Sequence, residues 1–194
     1  MVGSEPLHMK YFLGMEVARS KKGISISQRK YTMYLLDETS MISCKPIETP
    51  IEQGGKGKLF DGDPISKGRY QRLVGKLIYL SHTRPNITFA IRVVSQYMRS
   101  PCQRHFDVVY RILRYLKKNP GKWLFFGKNE DKKVEAFTKA NWARSVIDRK
   151  STSGYSTRLW GNLVTWCSKK QFVVARSSAE AEYRVMAHGI FEVI

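Results

Sequence analysis

Apolar positions recur at helical intervals through the middle of this 194-residue chain and alternate towards both ends. In "SKGRYQRLVGKLIYLSHT", Tyr70, Leu73, Leu77 and Leu80 share one face of a helix. "RPNITFAIRVVSQYMRS" opens on Pro85, suited to a first helical turn, and repeats the spacing with Ile87, Ile91, Val94 and Met98. "HFDVVYRILRYLKKNPGK" does so with Phe106, Val109, Leu113 and Leu116, and Asn119-Pro120-Gly121 ends it. Three helices are predicted between residues 66 and 121.

The flanks read differently. "KYFLGMEVARSKKGISISQRKY" predicts two strands, the first carrying the apolar run Tyr11 to Val17, joined by a turn at Lys21-Lys22-Gly23. A short helix follows, with Ser27 as its expected N-cap and Tyr31, Tyr34, Leu35 and Leu36 clustered at helical spacing. Residues 42–65 are rich in Gly, Pro and charge without periodicity, which predicts an extended, partly mobile linker. From Lys122 onward, "KWLFFG", "VEAFTKANWA", "SGYSTRLWGN" and "NLVTWCSKK" alternate aromatic and β-branched residues as strands do. "SSAEAEYRVMAHGIFEVI" reads as a helix capped at Ser178, still apolar at Ile194, so the chain is expected to stop within an element. The fold class is therefore α+β: a strand pair plus helix, a small helical unit, then a mixed sheet with one helix.

Composition narrows the partners. An apolar fraction of 42% with 12% aromatic residues is enough for a packed core. Lys and Arg outnumber Asp and Glu by 34 to 16, a net charge of +18 spread over both halves. That excess favours polyanions, nucleic acid before an acidic membrane surface. Cys44, Cys102 and Cys167 lie far apart and the four histidines are scattered, which points to a reduced intracellular protein without a zinc site. The N-terminus is not a signal peptide, and no apolar run approaches the length needed to cross a bilayer, so no membrane partner is expected.

Several stretches together carry a resemblance. "KYFLGMEV", "GISISQRKY", "RYQRLVGKLIYLSHTRPNITFA", "RILRYLKKNPGK", "DRKSTSGYSTRLWGNLVTWCSKKQ" and "SSAEAEYR" resemble, in order, the Pol polyprotein of copia-type retrotransposons. The resemblance implies that residues 1–50 correspond to the end of a reverse transcriptase and 51–65 to a linker. It further implies that 66–121 form the helical connection and 122–194 an incomplete RNase H-like domain. The family's polymerase motif, Tyr-x-Asp-Asp, is not in the chain, whose nearest acidic pair is Asp61-Gly62-Asp63. Polymerisation is not expected.

RNase H chemistry uses two Mg²⁺ ions clamping the attacking and leaving oxygens, which requires converging carboxylates. Family members write the first of these as Thr-Asp-Ala-Asp-Trp-Ala-Gly. Here the frame reads Thr138-Lys139-Ala140-Asn141-Trp142-Ala143-Arg144. Lys139 and Asn141 thus stand at family carboxylate positions, where an ammonium repels the metal. Glu182 of "SSAEAEY" matches the second ligand and reads as vestigial, while Glu180 reads as a first-turn residue favouring the helix dipole. Asp148 is the nearest substitute carboxylate, expected instead to cap or to pair with Arg149 or Lys150. No cofactor is expected for this chain, although active family members use Mg²⁺.

The expected function is that of a non-catalytic, degenerate Pol fragment binding RNA, DNA or RNA–DNA hybrid non-specifically. The alternatives are an RNase H-type endonuclease working within a larger or complemented Pol protein, and a recruited basic nucleic-acid-binding module. Candidate contacts are Lys117, Lys118, Arg149, Lys150, Lys169 and Lys170. Trp142, Trp160 and Trp166 could stack on bases, but burial in the core is the commoner fate of strand tryptophans. About three strands of an expected five predict an exposed sheet edge and a tendency to aggregate.

Overall fold

A computed structural model describes residues 9–52, 62–130, 132–145 and 148–192. The fold is mixed α+β, with two antiparallel sheets and five α-helices among the described residues. Two compact units divide it: one holds the described residues up to 128, the other those from 129 onward.

In the first unit the chain makes β1 (Met9–Phe12), β2 (Met15–Ser20), β3 (Gly23–Ser27), α1 (Arg29–Glu38), α2 (Lys67–Leu80), α3 (Thr88–Ser95), α4 (Gln103–Lys118) and β4 (Trp123–Gly127). The run Tyr11 to Val17, expected as one strand, is cut in two. Leu13 and Gly14 both take positive φ (46° and 72°), and their tight turn folds β1 back on β2 with Phe12 opposite Met15. The strand "KWLFFG", expected with the later strands, instead closes this first sheet in the order β1-β2-β3-β4, with Ile26 opposite Leu124. Local alternation makes a strand, but it does not name the strand's partner.

The helical spacings produce the core. Tyr70, Leu73, Leu77 and Leu80 of α2 are buried with Ile87, Ile91 and Val94, and with Phe106, Val109, Leu113 and Leu116 of α4. Leu35 and Leu36 of α1 join the same cluster. The second predicted helix is shorter than expected: a 3₁₀ turn at Pro85–Ile87 leads into α3, which ends at Ser95. The N-cap of α1 is Gln28 rather than Ser27, whose Oγ accepts the Arg29 N–H at 3.2 Å. Arg84 is buried to 1% exposure at the far end of α4. It donates to the carbonyls of Asn119 and Pro120, so a cation sits where the helix dipole is negative. Burial lowers its pKa to about 10, against a smaller opposing influence of Tyr115, and it stays charged at neutral pH.

Residues 42–52 form neither helix nor strand, as their lack of periodicity predicts, but they are not loose. A column of cations on α4 straps them down. Arg111 donates to the Thr49 carbonyl and hydroxyl at 3.2 and 3.1 Å, and Arg114 to the Lys45 carbonyl at 2.8 Å. Lys117 reaches the carbonyls of Ile42 and Cys44, and Lys118 pairs with Glu48. The rest of the expected linker through Asp61 lies outside the described residues.

The second unit is a meander, β5 (Val134–Asn141), β6 (Thr152–Leu159) and β7 (Asn162–Lys170), followed by α5 (Ser178–Phe191). Positive φ at Trp160 and Gly161 (53° and 73°) makes the tight β6–β7 turn. The tryptophans do not form a buried core: Trp142 and Trp160 are 47% and 44% exposed and Trp166 is half-buried. The core is instead a thin layer of Ala140, Ala175, Ala181 and Val185. Small side chains let α5 lie close on the sheet, and its N-cap is Ser177, whose hydroxyl accepts the Glu180 N–H at 3.1 Å, one residue before the expected cap.

At Gly189 a methyl group would stand 2.6 Å from Thr138 Cγ2, a β-branched side chain with little freedom to yield. Gly189→Ala should therefore destabilise the second unit by about 1–3 kcal/mol through overpacking, despite the better helix propensity of alanine. Adding Thr138→Ser, which removes the obstructing methyl, should recover most of the loss in chemical denaturation. Equal stability of G189A and the parent chain would show that α5 can move away from β5 at no cost.

Candidate functional site

The geometry around the strand "VEAFTKAN" follows from β-alternation. Thr138 and Ala140 face α5: Ala140 is buried in the thin core and Thr138 touches the helix at Gly189. Lys139 and Asn141 take the opposite face of β5. Lys139, opposite Gly154 of β6, is exposed and forms no ion pair among the described residues. Glu182, in the second turn of α5, turns its carboxylate to the strand backbone, where Oε2 accepts the Ala140 N–H at 2.9 Å. The structure thus brings Glu182 to the backbone between positions 139 and 141, but not to their side chains.

This arrangement does not fit a pair of magnesium ions. The ions need several convergent carboxylate oxygens. Here a single carboxylate reaches the strand, one of its oxygens accepting an amide, and the residues on either side of Ala140 are an ammonium-bearing lysine and an asparagine. Among the described residues, no three His, Cys, Asp or Glu side chains group so as to hold a metal ion. Glu180 is engaged elsewhere: it accepts the Arg176 N–H at 2.7 Å and pairs with Arg184 one turn on, and these contacts, the Arg176 N–H foremost, lower its pKa.

The expected nucleic-acid contacts divide into engaged and projecting groups. Lys117 and Lys118 are turned inward onto residues 42–48. Lys170 pairs with Asp148 at 2.8 Å and Lys150 lies 4.0 Å from the same carboxylate. Arg149, at positive φ (52°), and Lys169 are exposed, the latter with its ammonium 4.7 Å from the Phe172 ring centre. The Asp148–Lys170 pair was hidden in the sequence. It depends on the β6–β7 register that sets Lys170 opposite Thr152, beside the Asp148 turn.

Three comparisons with known proteins bear on this arrangement. The chain is 40% identical over 95% of its length to the Retrovirus-related Pol polyprotein from transposon RE2 of Arabidopsis thaliana. It is 41% identical, again over 95%, to the corresponding polyprotein from transposon RE1 of the same plant. It spans only 13% and 12% of those two proteins. It is also 36% identical to an uncharacterized mitochondrial protein of Arabidopsis thaliana, covering 94% of itself and 75% of that protein. The chain belongs to the copia-type retrotransposon Pol polyprotein family. No protein-family model and no solved structure matches it. Among the described residues, no helix is long and apolar enough to cross a membrane.

Asp148 provides a test of the charge arrangement. Desolvation raises its pKa, but hydrogen bonds from Lys170, Ser145 and the Lys150 N–H outweigh this and hold the carboxyl at about 2. The folded value lies below the ordinary one of about 3.9, so the stabilisation is complete above that pH and is lost as pH falls towards 2. Asp148→Asn should lower the unfolding free energy at pH 7 by no more than about 1 kcal/mol, because the pair is partly solvated. The difference from the parent chain should shrink through the window from pH 4 to 2. A difference that persists unchanged at pH 2 would mean that the carboxylate charge is not the source.

Proposed function

We propose that this chain is a Pol-derived segment that binds nucleic acid without cleaving it. Residues 9–128 derive on this reading from the end of the reverse transcriptase and the helical connection. Residues 132–192 derive from the opening of an RNase H domain. The antiparallel meander followed by a helix that carries Glu182 supports the second assignment.

The observation that carries the reading is the Glu182–Ala140 hydrogen bond with Lys139, the preceding residue of β5, exposed on the opposite face of the strand. In a nuclease the carboxylate would be reserved for metal, and its neighbours on β5 would be acidic. Here the carboxylate anchors the helix to the strand, which is a structural use. Affinity for polyanions needs no such precision. It follows from the net charge of +18 and from exposed cations such as Arg149 and Lys169.

The purified chain, incubated with an end-labelled RNA–DNA hybrid and Mg²⁺ or Mn²⁺, should leave the RNA strand intact. Lys139→Asp alone should not create cleavage, since two carboxylates still fall short of a two-metal site. Binding to the same hybrid should weaken linearly in log affinity as log salt rises, the signature of counterion release. Metal-dependent cleavage by the parent chain would overturn the non-catalytic reading, and salt-independent or absent binding would overturn the polyanion reading.

A further inference from the structure

Among the cations of α4, Arg111 is set apart because one of its contacts is a hydroxyl group. Its Nε donates to the Thr49 carbonyl at 3.2 Å and its Nη2 to Thr49 Oγ1 at 3.1 Å. Its Nη1 meets the Glu52 carboxylate at 2.5 Å. Thr49 is exposed, and its own O–H finds no acceptor among the described residues. The oxygen is thus open to solvent on one side and faces a guanidinium on the other.

The backbone around it suits an enzyme that must grip an extended chain. Residues 45–50, "KPIETP", form neither helix nor strand and are half-buried or exposed throughout. Pro50 follows Thr49, and a proline keeps the residue before it extended. Met41 and Ile51 pack against the core on either side, but between them the segment is held by hydrogen bonds and ion pairs at the surface. Few buried apolar contacts put such a stretch at the low-stability end of a fold, able to lift while its ends stay fixed. Beneath it Arg114, one turn after Arg111, gives its Nε to the Lys45 carbonyl and has both Nη groups uncommitted among the described residues. Lys117 and Lys118 complete the column, against which stand only Glu48, Glu52 and Asp107.

An exposed hydroxyl before a proline, with a guanidinium already on its oxygen, is a prepared seat for a phosphoryl group. We propose that Thr49 is a phosphorylation site for a proline-directed protein kinase, and that Arg111 then holds the phosphate and locks residues 42–52 onto α4. In the transfer Thr49 Oγ1 bonds to the γ-phosphorus of ATP and the bond to the bridging oxygen of ADP breaks. The hydroxyl proton passes to the catalytic aspartate of the kinase. The product places about −2 charge and three acceptor oxygens beside Arg111. A guanidinium grips a phosphate through two parallel hydrogen bonds, each stronger than the one the hydroxyl accepts. The dianion competes with Glu52 for Arg111 and carries twice its charge, so the carboxylate is the group that yields. Ser100, before Pro101, is the other Ser/Thr-Pro dipeptide in the chain. It is exposed, but no cation contacts its hydroxyl among the described residues, so a phosphate there gains no such lock. The site is independent of the nucleic-acid reading above.

The test incubates the whole chain with ATP and a proline-directed kinase of the mitogen-activated class, and maps the product by mass spectrometry. Phosphate should appear on Thr49, and Thr49→Ala should remove it while leaving any label on Ser100. Amide hydrogen exchange then compares the modified and unmodified chains. Phosphorylation should slow exchange within residues 42–52 about tenfold, the worth of one added charge-assisted hydrogen bond. The same slowing should appear when phosphothreonine is installed at position 49 by chemical ligation, which tests the lock without any kinase. Arg111→Gln should abolish the slowing, Arg111→Lys should keep part of it, and Ser100→Ala should leave it whole. Absence of phosphate from Thr49, with or without label on Ser100, overturns the modification site. Phosphate at Thr49 that leaves exchange unchanged or speeds it overturns the lock, as does slowing that persists in R111Q.

Discussion

A carboxylate has a limited number of lone pairs, and Glu182 uses one of its oxygens to hold α5 against β5 by accepting the Ala140 N–H. That donor belongs to Ala140, which is buried in the thin core. Leaving it unsatisfied beside a half-buried strand would cost about 1–3 kcal/mol. The consequence is both mechanical and chemical. The helix gains a fixed register on the strand, and one of the two carboxylate oxygens is engaged by the backbone.

Charge is used unevenly elsewhere. Four cations of α4 secure residues 42–52, Arg84 ends the same helix, and Asp148 draws in Lys170 and Lys150. These groups still add to the long-range potential, but their hydrogen-bonding capacity is directed inward. Net charge measures attraction at a distance. It does not identify which side chains are free to grip a phosphate.

The sequence revealed those features that depend on short-range periodicity. Tyr70, Leu73 and Leu77 repeat within one helix and were readable as a buried face, as were Phe106, Val109 and Leu113. The break at Leu13-Gly14 was concealed because apolar residues continue on both sides, and only the positive φ values separate β1 from β2. The partner of β4 was unreadable for a different reason: Ile26 and Leu124 meet across nearly a hundred residues. The same holds for the candidate sites. The substitution at Lys139 could be read from the frame "TKANWAR", whereas the Asp148–Lys170 pair needed strand register. Lys117 and Lys118 looked like a solvated helix end because nothing local announces that residues 42–48 lie against them.

The thin interior of the second unit has a thermodynamic consequence. Ala140, Ala175, Ala181 and Val185 bury little hydrocarbon, and much of what lies beside them is polar, with Ser153, Thr157 and Gln171 nearly inaccessible. Exposing apolar surface raises the heat capacity on unfolding and exposing polar surface lowers it. The second unit should therefore gain less heat capacity per residue on unfolding than the leucine-rich first unit, and its stability should vary less steeply with temperature.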